Sequence, residues 1–106
     1  MAKTTIMLAC AAGMSTSLLV TKMQAAADEK ELDAEIFAVS AQEVDDIILE
    51  KKVDVLLLGP QVRYLLEQFT EKLKDKNIPI GVIPMVDYGM MNGSKVLALA
   101  EELIGG

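Results

Sequence analysis

Two rhythms of apolar residues alternate along this chain. Thr4-Thr5-Ile6-Met7-Leu8-Ala9 is a near-continuous apolar run that ends at Cys10, and a short run of this kind bounded by small residues predicts a buried strand. Leu18, Leu19, Met23 and Ala26 or Ala27 then recur at helical spacing, with Ser15-Thr16-Ser17 ahead of them as N-cap candidates. A helix is therefore predicted from about Ser15 to about Lys30. Ala34-Glu35-Ile36-Phe37-Ala38-Val39 reads as a second strand. Val44, Ile47 and Ile48 share one face of a second helix from Ser40 to Lys51, and Ser40 and Glu43 have the spacing of a capping box. Val53 to Leu58 is a third strand, closed by Gly59-Pro60. Val62, Leu65, Leu66 and Phe69 mark a third helix to about Lys74, Ile78 to Ile83 a fourth strand, and Lys95 to Ile104 a last helix.

Strands that are apolar throughout, alternating with helices, belong to a parallel sheet covered on both faces. The expected fold is α/β: one three-layer domain over residues 1–106, with a four-stranded parallel sheet in the order 2-1-3-4 and right-handed crossovers. No repeat, linker or low-complexity segment interrupts it. In that order the winding reverses between the first and third strands, and ligands of open α/β sheets bind beyond the C-terminal strand ends at such a point. Cys10 follows the first strand and Gly59-Pro60-Gln61 follows the third.

Composition narrows the function classes. Net charge is −6 and Arg63 is the one arginine, which excludes a cationic face for nucleic acid or for anionic lipid. The chain has no His, so the commonest general base and zinc ligand is absent, and no metal or other cofactor is indicated. With one Cys there is no internal disulfide, and a reducing cytoplasm is the expected compartment. The first apolar run is too short to span a bilayer, and no signal-like start is recognisable. Direct membrane insertion is not expected.

The candidate chemistry lies in Cys10-Ala11-Ala12-Gly13-Met14-Ser15-Thr16-Ser17. Small residues let successive N–H groups converge into an anion nest. A helix N-terminus adds unpaired N–H groups and a partial charge of roughly +0.5, and three hydroxyl side chains can add donors. A thiol at the base of such a nest should favour the nucleophilic thiolate, and the same groups would hold a phosphoryl group on sulfur. The pattern alone leaves a second reading open, in which Cys10 is a small buried hydrophobe at a strand end.

Cys10 to Met23, with Gly59-Pro60-Gln61 and Asp87-Tyr88-Gly89, resembles the lactose/cellobiose type of phosphotransferase-system IIB protein. The run Cys-x-Ala-Gly-Met-Ser-Thr-Ser-Leu-Leu is the most specific part. The resemblance implies that Cys10 receives phosphate from a phosphohistidine on a IIA partner, with residues 11 to 17 as the phosphate loop. It implies that Cys10 then donates to a sugar held by a membrane IIC partner. It also implies a β-linked disaccharide such as cellobiose, chitobiose or lactose. More distantly, the loop is similar to the Cys-x5-Arg loop of low-molecular-weight tyrosine phosphatases, with Thr16 at the Arg position. An Arg there would stabilise the charge that develops during hydrolysis, and without Arg or His a phosphocysteine should persist.

Other residues have plainer readings beside functional ones. Gln61 and Tyr88 are candidates for the site rim. Against this, Pro60 can simply open the third helix with Gln61 exposed, and the Tyr88 ring can serve packing. Met85, Met90 and Met91 could form an adaptable docking surface, with core filling expected for at least one. Arg63 and the charges of Glu71 to Lys76 read as solvated. Two other functions compete with the carrier: a phosphatase- or arsenate-reductase-like thiol enzyme, and a non-catalytic anion-binding regulatory module.

Overall fold

The apolar runs pair as parallel strands. A computed structural model describes residues 4–10 and 16–105, with Thr16 by its backbone alone; the loop candidates Ala11, Ala12, Gly13, Met14 and Ser15 lie outside the described residues. Strand β1 (Thr4–Cys10) pairs with β2 (Ala34–Ser40), from Thr4 opposite Ala34 to Cys10 opposite Ser40. On its other side β1 pairs with β3 (Val55–Leu58), which in turn pairs with β4 (Ile80–Val82). The sheet order is β2-β1-β3-β4, as the alternation predicts.

Both faces are covered. Ile6, Leu8, Ile36, Val55 and Leu57 pack with Leu19 and Met23 of α1 (Thr16–Glu29) and Val96 and Leu97 of α5 (Gly93–Gly105). Met7, Ala9, Leu56 and Leu58 pack on the other side with Val44 of α2 (Val44–Glu50) and Phe69 and Leu73 of α3 (Leu66–Leu73). A strand's side chains alternate between faces, so a strand covered on both is apolar nearly throughout, as β1 is but for Thr4 and the buried Thr5. Fully burying one such side chain stabilises the fold by about 1.5–3 kcal/mol, more than the roughly 0.5–1.5 kcal/mol of a hydrogen bond. A polar substitution at Ile6 or Leu8 would therefore damage the sheet more than loss of any one ladder bond.

Several boundaries differ from the expected ones, each for a local reason. β3 begins at Val55 and not at Val53. Asp54 Oδ2 accepts the Thr5 N–H at 2.7 Å while the Asp54 N–H donates to the Thr5 carbonyl at 2.9 Å. A side chain thus takes the place of a ladder bond. β4 is confined to three residues, because Pro79 has no N–H to extend it and Asn77 (φ 56°) ends the preceding turn in the left-handed region. The second helix opens as a 3-10 turn over Ala41–Glu43. The third opens as a 3-10 stretch over Pro60–Leu65, with Pro60 at its start and a kink at Val62. α5 starts at Gly93, ahead of Lys95, because Asn92 Oδ1 accepts the Lys95 N–H at 3.2 Å, an N-cap bond. A one-turn helix, α4 (Met85–Gly89), stands where the apolar pattern predicts no element.

α1 ends in a Schellman arrangement: the Glu31 and Leu32 N–H groups donate to the Asp28 and Ala27 carbonyls, with Glu31 left-handed at φ 56°. α5 lies against α1 so closely that a Cβ on Gly93 would sit 2.4 Å from the Lys22 carbonyl carbon. Ion pairs Lys30–Glu101 and Lys51–Glu35 decorate the surface and contribute little in water. No described helix is long and apolar enough to cross a membrane.

Candidate functional site

Sheet order alone brings the candidate residues together. β1 is central, so the C-terminal ends of β2 and β3 flank Cys10 at the C-terminal end of β1. On the β2 side Ser40 is its register partner. On the β3 side the Gly59 N–H donates to the Ala9 carbonyl at 2.8 Å, which holds the turn against β1. A Cβ on Gly59 would come 3.6 Å from Cys10 Cβ. α1 begins at Thr16, six positions beyond Cys10.

The Cys10 side chain is 7 % exposed. Its Sγ–H points at the Val39 carbonyl, 3.8 Å away, a weak bond that gives the thiol a resting direction without occupying it strongly.

Of the loop candidates, Ser17 is described; it is exposed, and its carbonyl accepts the Thr21 hydroxyl at 3.1 Å. Ala11, Ala12, Gly13, Met14, Ser15 and the Thr16 side chain lie outside the described residues. Gln61 is exposed, yet its side chain folds back over the turn: Oε1 lies 3.2 Å from where a Gly59 Cβ would be, on the side of Gly59 that borders Cys10. Tyr88 is 7 % exposed and belongs to the core cluster with Leu19, Val96 and Leu97. Met91 packs partly buried against that cluster, while Met85 and Met90 are 68 % and 74 % exposed. Arg63 is exposed, and Lys74 pairs with Glu71 at 2.8 Å on the surface.

A cleft of about 410 Å³ opens beside Cys10, between the helical segment after β2 and the one after β3. Its walls carry Gln42 and Asp45 from the first and Tyr64, Gln68 and Lys72 from the second. None of these five stands out in the sequence. Each is an ordinary polar or aromatic position on a short helical segment, and the two segments are neighbours only because β1 sits between β2 and β3. The spacing Gln68–Lys72 is a helical i, i+4 pair, but nothing local marks it as facing a thiol.

Beside the cleft mouth, Glu43 accepts the Ser40 N–H at 3.0 Å and the Ser40 hydroxyl at 2.9 Å. The backbone bond first, and the hydroxyl second, hold its carboxyl below the usual carboxylate range. This is the Glu half of the expected capping box, and it pins the chain where it leaves β2 beside Cys10.

Comparisons with known proteins bear on the family and the fold. The family model for the lactose/cellobiose-specific IIB subunit of the PTS system matches residues 5–99. A galactose-specific EIIB component of a PTS system from Lactococcus lactis subsp. cremoris (strain MG1363) is 53 % identical, over 98 % of this chain and 99 % of its own length. A cellobiose-specific EIIB component from Lactococcus lactis subsp. lactis (strain IL1403) is 52 % identical with the same coverage. Among solved structures, the solution structure of a cellobiose-specific phosphotransferase IIB component from Borrelia burgdorferi superposes with a TM-score of 0.79 at 39 % identity. That match covers 98 % of this chain and 94 % of the other.

Proposed function

The chain belongs to the lactose/cellobiose-specific IIB family of the sugar phosphotransferase system, and on that premise we propose that Cys10 is the residue that carries its phosphoryl group. The supporting observation is position. The one thiol of the chain ends the central strand, beside the Gly59 turn and six positions ahead of the α1 start.

Transfer takes two in-line displacements. Cys10 sulfur attacks the phosphorus of a phosphohistidine on a IIA donor; the S–P bond forms, the P–N bond breaks, and the imidazole leaves with the electron pair and takes up the proton that the thiol gives up. A hydroxyl oxygen of a sugar held by a membrane IIC partner then attacks the same phosphorus. The O–P bond forms, the S–P bond breaks back to thiolate, and the hydroxyl proton passes to a base on the IIC side, since this chain has no His. Most of the rate comes from positioning and from donors aimed at the phosphoryl oxygens, a role for residues 11 to 17. The chain works in the cytoplasm, meeting IIC at the inner membrane face. The acceptor is a β-linked disaccharide such as cellobiose, the sugar for which one relative is named, although another is named for galactose.

The test is phosphate uptake. Incubation with phosphoenolpyruvate, the general phosphocarrier proteins and the IIA donor is expected to add the mass of one phosphate to the wild-type chain and none to Cys10→Ser. A serine hydroxyl without a neighbouring base is a poor nucleophile. Full uptake by the mutant would move the carrier residue elsewhere.

A further inference from the structure

Resting on the carrier reading above, we infer that Glu43 is a positioning residue for phosphoryl transfer, acting on Cys10 through the peptide unit that joins Val39 to Ser40. The two sides of that unit have different partners. Its carbonyl, on Val39, lies 3.8 Å from Cys10 Sγ and accepts the S–H. Its N–H, on Ser40, donates to Glu43 Oε2 at 3.0 Å. A trans peptide is planar, and its C=O and N–H point in opposite directions; no described peptide is cis. Fixing the direction of the N–H therefore fixes the direction of the carbonyl that faces the sulfur.

The sheet explains why a side chain is needed for this. β2 is an edge strand that pairs with β1 alone, and its register ends at Ser40 opposite Cys10. The outer side of the Val39–Ser40 peptide therefore faces no strand. Glu43 supplies the acceptor there, and an ionised acceptor makes a bond roughly twice as strong as a neutral one. A second bond, from the Ser40 hydroxyl at 2.9 Å, keeps the carboxylate in place. The contact between the S–H and the carbonyl is weak, so its direction depends on a carbonyl that does not tilt. Held by it, the sulfur begins each transfer from one direction at the end of β1 instead of sampling its rotamers. The hold ends with the S–H itself. Once the proton is given up, the carbonyl oxygen faces an anionic sulfur, repels it, and releases it towards phosphorus.

The experiment compares Glu43→Ala, which deletes the acceptor, with Glu43→Gln, whose amide oxygen still accepts both bonds. Glu43 is exposed, so neither substitution opens the core, and urea melts fix conditions under which every variant is folded. Phosphate uptake is followed by rapid quench over a range of IIA donor concentrations. In Glu43→Ala the rate at saturating donor is expected to fall about threefold to tenfold, short of the roughly 10²-fold cost of a ~1 Å misplacement, because β1 still holds the inner side of the peptide. The half-saturating donor concentration should stay as in wild type, and Glu43→Gln should recover most of the rate. An undiminished rate in Glu43→Ala, equal slowing in both variants, or a change confined to the half-saturating concentration would overturn the inference. The Cys10 side-chain torsion, read from NMR couplings on the unphosphorylated chain, separates this inference from the carrier reading. Glu43→Ala should spread that torsion over more than one rotamer. A wild-type chain that takes up no phosphate overturns the carrier reading, whatever the torsion does; uptake with an unchanged torsion in Glu43→Ala overturns the positioning role and leaves the carrier.

Discussion

Gly59 has no conformational need to be glycine, since its φ of −64° and ψ of 155° suit any residue. Its need is for space. An added Cβ would stand 3.2 Å from Gln61 Oε1 and in ordinary contact, 3.6 Å, with Cys10 Cβ, so Ala would displace the Gln61 side chain by a few tenths of an ångström and fill the space beside the thiol. Gly59→Ala should keep the fold, with a denaturation midpoint at or above wild type, because Ala restricts the unfolded chain by about 0.4–1 kcal/mol. Phosphate uptake should slow roughly tenfold, since reacting groups tolerate little misplacement. Rapid-quench measurement of uptake beside a urea melt separates the two effects. An unchanged rate would mean that neither Gln61 nor the space over Gly59 serves the sulfur.

Among the elements, the turn from β2 into α2 carries a pH signature. The Glu43 carboxyl is held below its ordinary range by the Ser40 N–H and hydroxyl. A carboxylate with a lowered folded-state pKa lends stability that is fully present above its unfolded value and is lost as pH falls through the lowered one. Glu43→Gln should therefore melt below wild type at pH 7, and the gap should close below about pH 4. A gap that does not vary with pH in thermal melts would show that the charge contributes nothing. The same elements show what a sequence can tell. β1 is legible because burial on both faces demands a near-continuous apolar run, and β2, a partly buried edge strand, keeps enough of such a run around Glu35 to be read; the placing of Cys10 beside Gly59 comes from strand order. The apolar pattern makes β3 two residues too long, because Val53-Asp54 continues the run while the Asp54 carboxylate, not a backbone group, satisfies Thr5. α4 is hidden because Met85–Gly89 is too short to display a 3.6-residue period, and Met85, Val86 and Met90 are all exposed. The cleft is illegible for a different reason: Gln42 and Gln68 line it from two segments that only the fold makes neighbours, and no local spacing encodes that.

At the scale of the whole molecule, the α1/α5 contact joins distant parts of the chain. A Cβ on Gly93 would meet Lys22 carbon and oxygen at 2.4 and 2.6 Å and the Met23 nitrogen at 2.6 Å. These are backbone atoms inside a helix and cannot swing aside. Gly93→Ala should cost about 1–3 kcal/mol by overpacking, read as a lowered urea midpoint; a midpoint within experimental error of wild type would mean that α5 can shift without loss. The same close approach bears on how the protein is made. At about 5–20 residues per second, roughly 2–10 s pass between synthesis of β3 at Leu58 and of the last turn of α5 at Gly105. Over that interval Val55 and Leu57 are already available to pair with β1 while the helix that seals their outer face does not yet exist. A nascent chain in this state presents a half-covered apolar sheet, the surface that chaperones bind. Slow codons placed between β3 and α5 would lengthen that exposure, whereas the same codons ahead of β1 would not.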